Sequence, residues 1–292
     1  MQPLQALNEA DLVRLTRVAQ RLLQNRHLLS SGNQANPLRS GSGIEFLDHK
    51  DFSPGDDTRD IDWRTTARSR HPQIRRYSNE ASADWFVILD CSASMAIADG
   101  AKWQLAVQCA AAISYLLLQL DNQVSVLVFN NTIEKMLPPG RGYSHYARLL
   151  QTLGHITPEK SGTASNLYSC VAHIKRNCPV FVISDFLAQD NMQHSLNALS
   201  LQSNNVHALQ ILAEEDFLLP SCANLELKDV ENGQTLTIDN NHSQQEQYHT
   251  AVKHFHSRFS LYCKQRRIHF SRHNDKQQWQ NVILDHLQAR NK

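Results

Sequence analysis

An unbroken apolar run, Trp85–Leu89, that ends on Asp90 and continues as Cys91-Ser92-Ala93-Ser94 most restricts how this chain can fold. A strand with one wet face alternates apolar and polar residues. This one does not, so it is predicted to lie in a sheet covered on both faces, as parallel sheets are. Downstream of strand 85–90 the pattern predicts helix 101–120, strand 123–129, helix 143–153, helix 166–176, strand 179–184, helix 191–203 and strand 206–212. Thr132–Met136 reads as a short edge strand. Such alternation implies an α/β fold: a doubly wound, mainly parallel sheet with helices on both faces. Leu225–Val230 and Thr235–Ile238 then flank Glu231-Asn232-Gly233, a hairpin signal because Asn-Gly tolerates positive φ. Helix 243–265, strand 267–271 and helix 275–288 complete the wind.

The residues before the first strand divide into three. Asn8 and Asp11 begin a helix in which Leu12, Leu15, Val18, Ala19, Leu22 and Leu23 keep a helical period, giving an N-terminal helix within 1–29. Residues 30–43 are polar and glycine-containing and read as a flexible linker. Residues 44–84 form an Arg/Asp-rich segment expected to pack on the core of the α/β domain, 85–292. A net charge of +1 argues against general attraction to nucleic acid or a membrane surface. The apolar stretch Leu105–Leu120 is broken by Gln108, Ser114 and Gln119 and falls short of the roughly 20 residues of a membrane span. Six cysteines form no C-x-x-C pair, which points to free buried thiols and a cytoplasmic setting.

Asp90, Ser92 and Ser94 alternate at the C-terminal end of the first strand, where open α/β sheets bind ligands, and can point the same way. One carboxylate and two hydroxyls are hard oxygen donors suited to Mg²⁺ or Mn²⁺. Thr163, in a Ser/Thr-rich loop, and Asp185, at the end of Val180–Ser184, are candidates to complete the shell. The alternative is that Asp90 and the two serines only cap the next helix. Cys91, between the donors, is expected to face the core as an inert thiol.

This arrangement resembles the von Willebrand factor A fold and its metal-ion-dependent adhesion site, from Asp90 through strand 206–212. The resemblance implies a metal held by Asp90, Ser92, Ser94, Thr163 and Asp185, with one position left for a partner's carboxylate. The block Gly43-Ile44-Glu45-Phe46 followed by Phe52–Arg68, with Pro54-Gly55-Asp56-Asp57, Arg59-Asp60-Ile61-Asp62-Trp63-Arg64 and Arg68, is similar to the signature of the bacterial domain-of-unknown-function family fifty-eight. Membership implies a protein-binding adaptor or co-chaperone, not an enzyme, that works with a MoxR-type AAA+ ATPase and a client protein. Many relatives begin with a transmembrane hairpin that is not found here, so no integral membrane segment is expected. His49, Lys50 and Phe52 stand where other basic and aromatic residues usually precede the Pro-Gly-Asp step.

Arg59, Arg64 and Arg68 are the candidate partner-binding residues. The same arginines, set among Asp56, Asp57, Asp60 and Asp62, also suit an internal salt-bridge clamp. Trp63 is expected to be a buried anchor. Two rival functions follow from the residues: a metal-independent scaffold that docks through 44–80, and a metal-dependent phosphoester hydrolase. Phosphatases that start from a strand-end Asp use D-x-D, and Ser92 cannot replace the second Asp as acid and base. No G-x-S-x-G elbow and no glycine-rich phosphate loop occurs. Of the fifteen histidines, His249, His254 and His256 share a predicted helix but not one face, and are read as surface residues.

Overall fold

The computed structural model describes residues 4, 7–24, 45–53, 58, 61–69, 71–78, 84–158, 165–188, 192–203, 205–217, 224–231, 233–239 and 242–289. The chain forms two compact units, residues 31–82 and the remainder. The larger unit is mixed α/β. Its helices are α1 (Glu9–Gln24), α3 (Ala101–Gln119), α4 (Gly142–Gly154), α5 (Tyr168–Val171), α6 (Met192–Gln202), α7 (His242–Gln265) and α8 (Trp279–Gln288). Its central strands are β3 (Asp84–Asp90), β4 (Gln123–Phe129), β5 (Ile133–Gly140), β6 (Val180–Ser184), β7 (Val206–Leu212) and β10 (His269–Asn274). They lie in the order β10-β7-β6-β3-β4-β5, all parallel except the β4–β5 pair.

The unbroken apolar strands are explained by burial on two sides. Trp85, Val87 and Leu89 enter one cluster with Val126, Ile183 and Ile211 and with residues of α1, α3, α4 and α8. Phe86 and Ile88 enter a second cluster with Leu127, Val182 and Ala208 and with residues of α6 and α7. Because successive side chains point to opposite faces, both parities must be apolar. Asp90 is the first polar residue after the run and sits at the strand's C-terminal end.

β5 is longer than the predicted Thr132–Met136. It lies at the edge of the sheet, where Pro138 and Pro139 cost no ladder bond. Gly140, which ends it, is needed for close approach: a Cβ there would lie 2.2 Å from His145 Nδ1. His145 is itself buried and donates from Nε2 to the Val124 carbonyl at 2.8 Å. Predicted helix 166–176 contracts to α5, followed by turns in which His173 N and Ile174 N bond carbonyls three residues back. The chain then takes a left-handed residue at Asn177, φ 60°. The Asn-Gly hairpin forms as expected, from β8 (Asn224–Lys228) and β9 (Thr235–Asp239). In α1, Leu12, Leu15 and Ala19 are buried, whereas Val18 is exposed and lies off the apolar face.

In the smaller unit β1 (Glu45–Asp51) pairs antiparallel with β2 (Gln73–Ser78), and the single turn α2 (Trp63–Thr66) lies between them in sequence. Asp62 caps α2, accepting from Arg64 N at 3.0 Å and Thr65 N at 3.3 Å, and also meets His49 Nε2 at 3.1 Å. The expected anchor Trp63 is instead 68% exposed, because a one-turn helix with no buried residue offers it no face to anchor. The expected linker 30–43 and the residues Asp56, Asp57, Arg59 and Asp60 lie outside the described residues.

Candidate functional site

Asp90 ends β3, Ser184 ends the neighbouring β6, and Asp185 follows it directly. The chain leaves β3 toward β4 on one side of the sheet, while β6 and β7 lie on the other. Such a reversal opens a crevice at the C-terminal ends of parallel strands, where ligands of open α/β sheets bind. Asp90 is fully buried and held by three donors. Ser92 N donates to Oδ1 at 2.9 Å; Ser165 Oγ and Ser184 Oγ donate to Oδ2 at 2.7 and 2.6 Å. Burial, and then the charge of Asp185, push its carboxyl above the ordinary range, against the pull of these hydrogen bonds.

Ser92 and Ser94 stand beside it with hydroxyls 3.1 Å apart. The single 3-10 turn Ala93–Ala96 brings the two serines to one side, while Cys91 turns into the opposite core as expected. Asp185 accepts from Leu187 N at 3.3 Å, and Gln210 Nε2 donates to its carbonyl at 2.7 Å. The next residue, Phe186, is held at φ 53° with its N–H on Ser184 Oγ at 2.9 Å. A buried non-glycine residue in that region is costly and fixes the direction of the loop after β6. The structure thus brings Asp90, Ser92, Ser94 and Asp185 to one edge of the sheet. Thr163 lies outside the described residues. Arg64 and Arg68 are exposed in the smaller unit, and Arg59 lies outside the described residues.

Three further side chains belong to this edge and have no sequence signature of their own. Lys102, the second residue of α3, is completely buried and donates to Asp185 Oδ2 at 2.8 Å and to both oxygens of Asp216, at 3.2 and 3.0 Å. Burial pulls its ammonium down, but the two carboxylates more than offset this and hold it above the ordinary range. Asp216 lies just past β7 and also accepts from Ala213 N at 2.7 Å. Glu231, at the hairpin tip, has a half-buried carboxyl raised to about 7 by burial and by Asp185 and Asp90, with a hydrogen bond to Ser94 pulling the other way. Ser165 and Ser184 could have been suspected only as neighbours of Thr163 and Asp185. Among the described residues the side chains gathered at Asp90, Ser92 and Ser94 are carboxylates and hydroxyls, hard oxygen donors of the kind that fit Mg²⁺ or Mn²⁺.

A second polar group sits between β7, β10 and α8. His207, His269 and His286 are buried with ring nitrogens within 4.8 Å of one another. His207 Nδ1 meets His286 Nε2 at 3.0 Å, Ser271 Oγ meets His286 Nδ1 at 2.5 Å, and His273 Nε2 meets Ser271 Oγ at 2.8 Å. His269 Nε2 donates to the His286 carbonyl at 2.7 Å. With both nitrogens of His286 engaged, this is a hydrogen-bonded core network. It escaped sequence reading because its members lie on three elements. Of the histidines read as surface residues, His249 and His254 are exposed; His256 is half-buried, and burial lowers it to about 4.

Cys91, Cys170 and Cys263 are buried, and burial pushes each thiol up to about 12; Cys109 is raised as well. The thiolate is the reactive form. Iodoacetamide at pH 7.5 is therefore expected to leave these four unmodified in the native protein and to label all of them in urea, as read by peptide mass spectrometry. Native labelling of Cys91 would show that the loop after β3 opens.

The chain matches the family model described as "Protein of unknown function DUF58" over residues 48–258. It is 29% identical over 202 residues to an uncharacterised protein of Mycobacterium bovis (strain ATCC BAA-935 / AF2122/97). The same identity holds to an uncharacterised protein of Mycobacterium tuberculosis (strain ATCC 25618 / H37Rv). Each alignment covers 67% of this chain and 63% of the relative, so the chain spans less than two thirds of their length. The crystal structure of the conserved hypothetical protein BatB from Bacteroides thetaiotaomicron is similar over 71% of this chain and 98% of that one, with a TM-score of 0.41 and 13% identity.

Proposed function

This chain belongs to the DUF58 family of proteins of unknown function, and from that premise we propose that it is a metal-dependent protein-binding adaptor built on a von Willebrand A-like domain. Its partners in this reading are a MoxR-type AAA+ ATPase and a client protein, in the cytoplasm. The observation that carries it is the oxygen cluster at the end of β3, where Asp90, Ser92 and Ser94 stand together beside Asp185. Asp90, Ser92, Ser94, Thr163 and Asp185 would hold Mg²⁺ directly or through water. A bound divalent cation supplies a fixed local charge that makes contact with a partner carboxylate strong and directional. Ser165 and Ser184 orient Asp90, and the turn through Phe186 orients Asp185.

Isothermal titration should detect Mg²⁺ binding to the wild type and a loss of at least about 100-fold in Asp90→Ala. A pull-down from lysate should recover a AAA+ ATPase or its client with wild type in Mg²⁺, and lose it in EDTA or with Asp90→Ala. Equal recovery in all three samples sinks the metal-dependent reading. The scaffold reading, docking through 44–80, would then stand, and it rests on the exposed Trp63 and Arg64 of α2 and on Arg68 in the turn after it.

A further inference from the structure

Three local costs converge on Lys102. It sits in the first turn of α3, where the helix dipole disfavours a cation, and that turn has no acidic residue and no side-chain cap. It has no exposed surface, although a buried ammonium is expensive and replacing a whole buried ion network by apolar groups is often neutral for stability. The chain reaches it through three left-handed residues, Ala98 at φ 57°, Asp99 at φ 51° and Gly100 at φ 79°, and Ala98 lacks the polar side chain that eases this region for Asp. Across the ion pair, Asp185 is followed by Phe186 in the same region. Strain on both sides of one buried contact is the pattern of a geometry held for function.

What the contact fixes is the carboxylate of Asp185. Lys102 Nζ takes its Oδ2 at 2.8 Å and is anchored from the other side by both oxygens of Asp216, which Ala213 N holds in turn at 2.7 Å. Oδ1 of Asp185 is the less committed oxygen, accepting from Leu187 N at 3.3 Å. A carboxylate with one oxygen held by an ammonium cannot give both to the same metal ion. Ca²⁺ takes about six to eight oxygens and readily uses both of a carboxylate, whereas Mg²⁺ demands a near-ideal octahedron that such a chelate distorts.

We propose that Lys102 is a specificity-determining residue of this site, holding Asp185 to one free oxygen so that the cluster takes Mg²⁺ and discriminates against Ca²⁺. Lys102 acts through Asp185 as a positioning residue, and its role rests on the metal-site reading above. Asp216 is its counter-charge: without it, the ammonium would be buried with a single carboxylate to hold it.

The test titrates Mg²⁺ and Ca²⁺ separately into the full chain by calorimetry. Wild type should bind Mg²⁺ more tightly than Ca²⁺, and Asp90→Asn should bind neither. Lys102→Met combined with Asp216→Asn removes one positive and one negative charge together, so the net charge of the edge is unchanged while Asp185 is released. A thermal melt checks that this double variant folds. Its ratio of Ca²⁺ to Mg²⁺ dissociation constants should fall at least about tenfold, the usual size of an effect on a ligand's orienting partner. General loosening of the site would weaken both cations alike and leave the ratio unchanged, and that result overturns the role of Lys102. So does a wild type that binds Ca²⁺ as tightly as Mg²⁺, a measurement that needs no variant to fold. In either case the metal site stands if Asp90→Asn abolishes Mg²⁺ binding. Failure of wild type to bind Mg²⁺ overturns both.

Discussion

Replacing Lys102 with Met is expected to lower the free energy of unfolding by about 3–5 kcal/mol, the cost of breaking a buried ion pair from one side. Lys102 has no exposed surface, and its ammonium lies 2.8 Å from Asp185 and 3.0 Å from Asp216. Met fills nearly the same volume, so little of the loss would come from a cavity. What remains is a pair of carboxylates, buried and repelling each other, with no cation between them. These interactions also tie the first turn of α3 to the loops after β6 and β7, so the damage would fall on the edge of the sheet that carries the site. Urea unfolding followed by circular dichroism measures the loss. Adding Asp216→Asn to Lys102→Met should restore part of it by removing one orphaned charge. A single variant within about 1 kcal/mol of wild type would show that water or another cation replaces the ammonium.

The second large effect is acid sensitivity. Burial lowers His286 well below its ordinary 6.5, with His207, His269 and His273 adding repulsion; His269 and His273 are lowered by burial too. These rings are neutral in the fold but take up protons near pH 6.5 once unfolded. The unfolded chain therefore binds more protons below that pH. Their full stabilisation is present above about pH 6.5 and declines as pH falls toward their folded values. Each contributes up to about 1.4 kcal/mol per pH unit in that window. Asp90 and Glu231 act in the opposite sense, since carboxyls raised in the fold cost stability as pH rises through their ordinary range. The difference between two proteins isolates the histidine effect. Urea midpoints of wild type should fall steeply between pH 6.5 and 5, and those of His286→Gln, which keeps a polar group but cannot titrate, should fall less. Parallel pH profiles would show that the network is not what titrates.

Much of this molecule is written in short stretches of chain. The run Trp85–Leu89 announces a strand covered on both faces, and the two apolar clusters on either side of β3 are why it can. Alternation along an extended segment is enough to send Cys91 to one side and Asp90 and Ser92 to the other. Asn232-Gly233 is enough to place a hairpin. Trp63 and the helix predicted over 166–176 went astray because residue type says nothing of whether a one-turn helix has a face to bury, or of where turns take over from helical bonds.

Tertiary structure alone decided what surrounds each group. Ser165 and Ser184 reach Asp90 from 75 and 94 residues away, Lys102 pairs with Asp216 over a separation of 114, and His207 meets His286 over 79. Periodicity reports which way a side chain faces relative to its own backbone. It does not report which distant carboxylate or imidazole will be packed against it. The sequence by itself determined most strands and helices of the larger unit and the oxygen donors at the end of β3. The order in which the strands assemble decided that those donors share an edge with a buried lysine and a hairpin glutamate, because only packing brings charges from separate loops into one desolvated place.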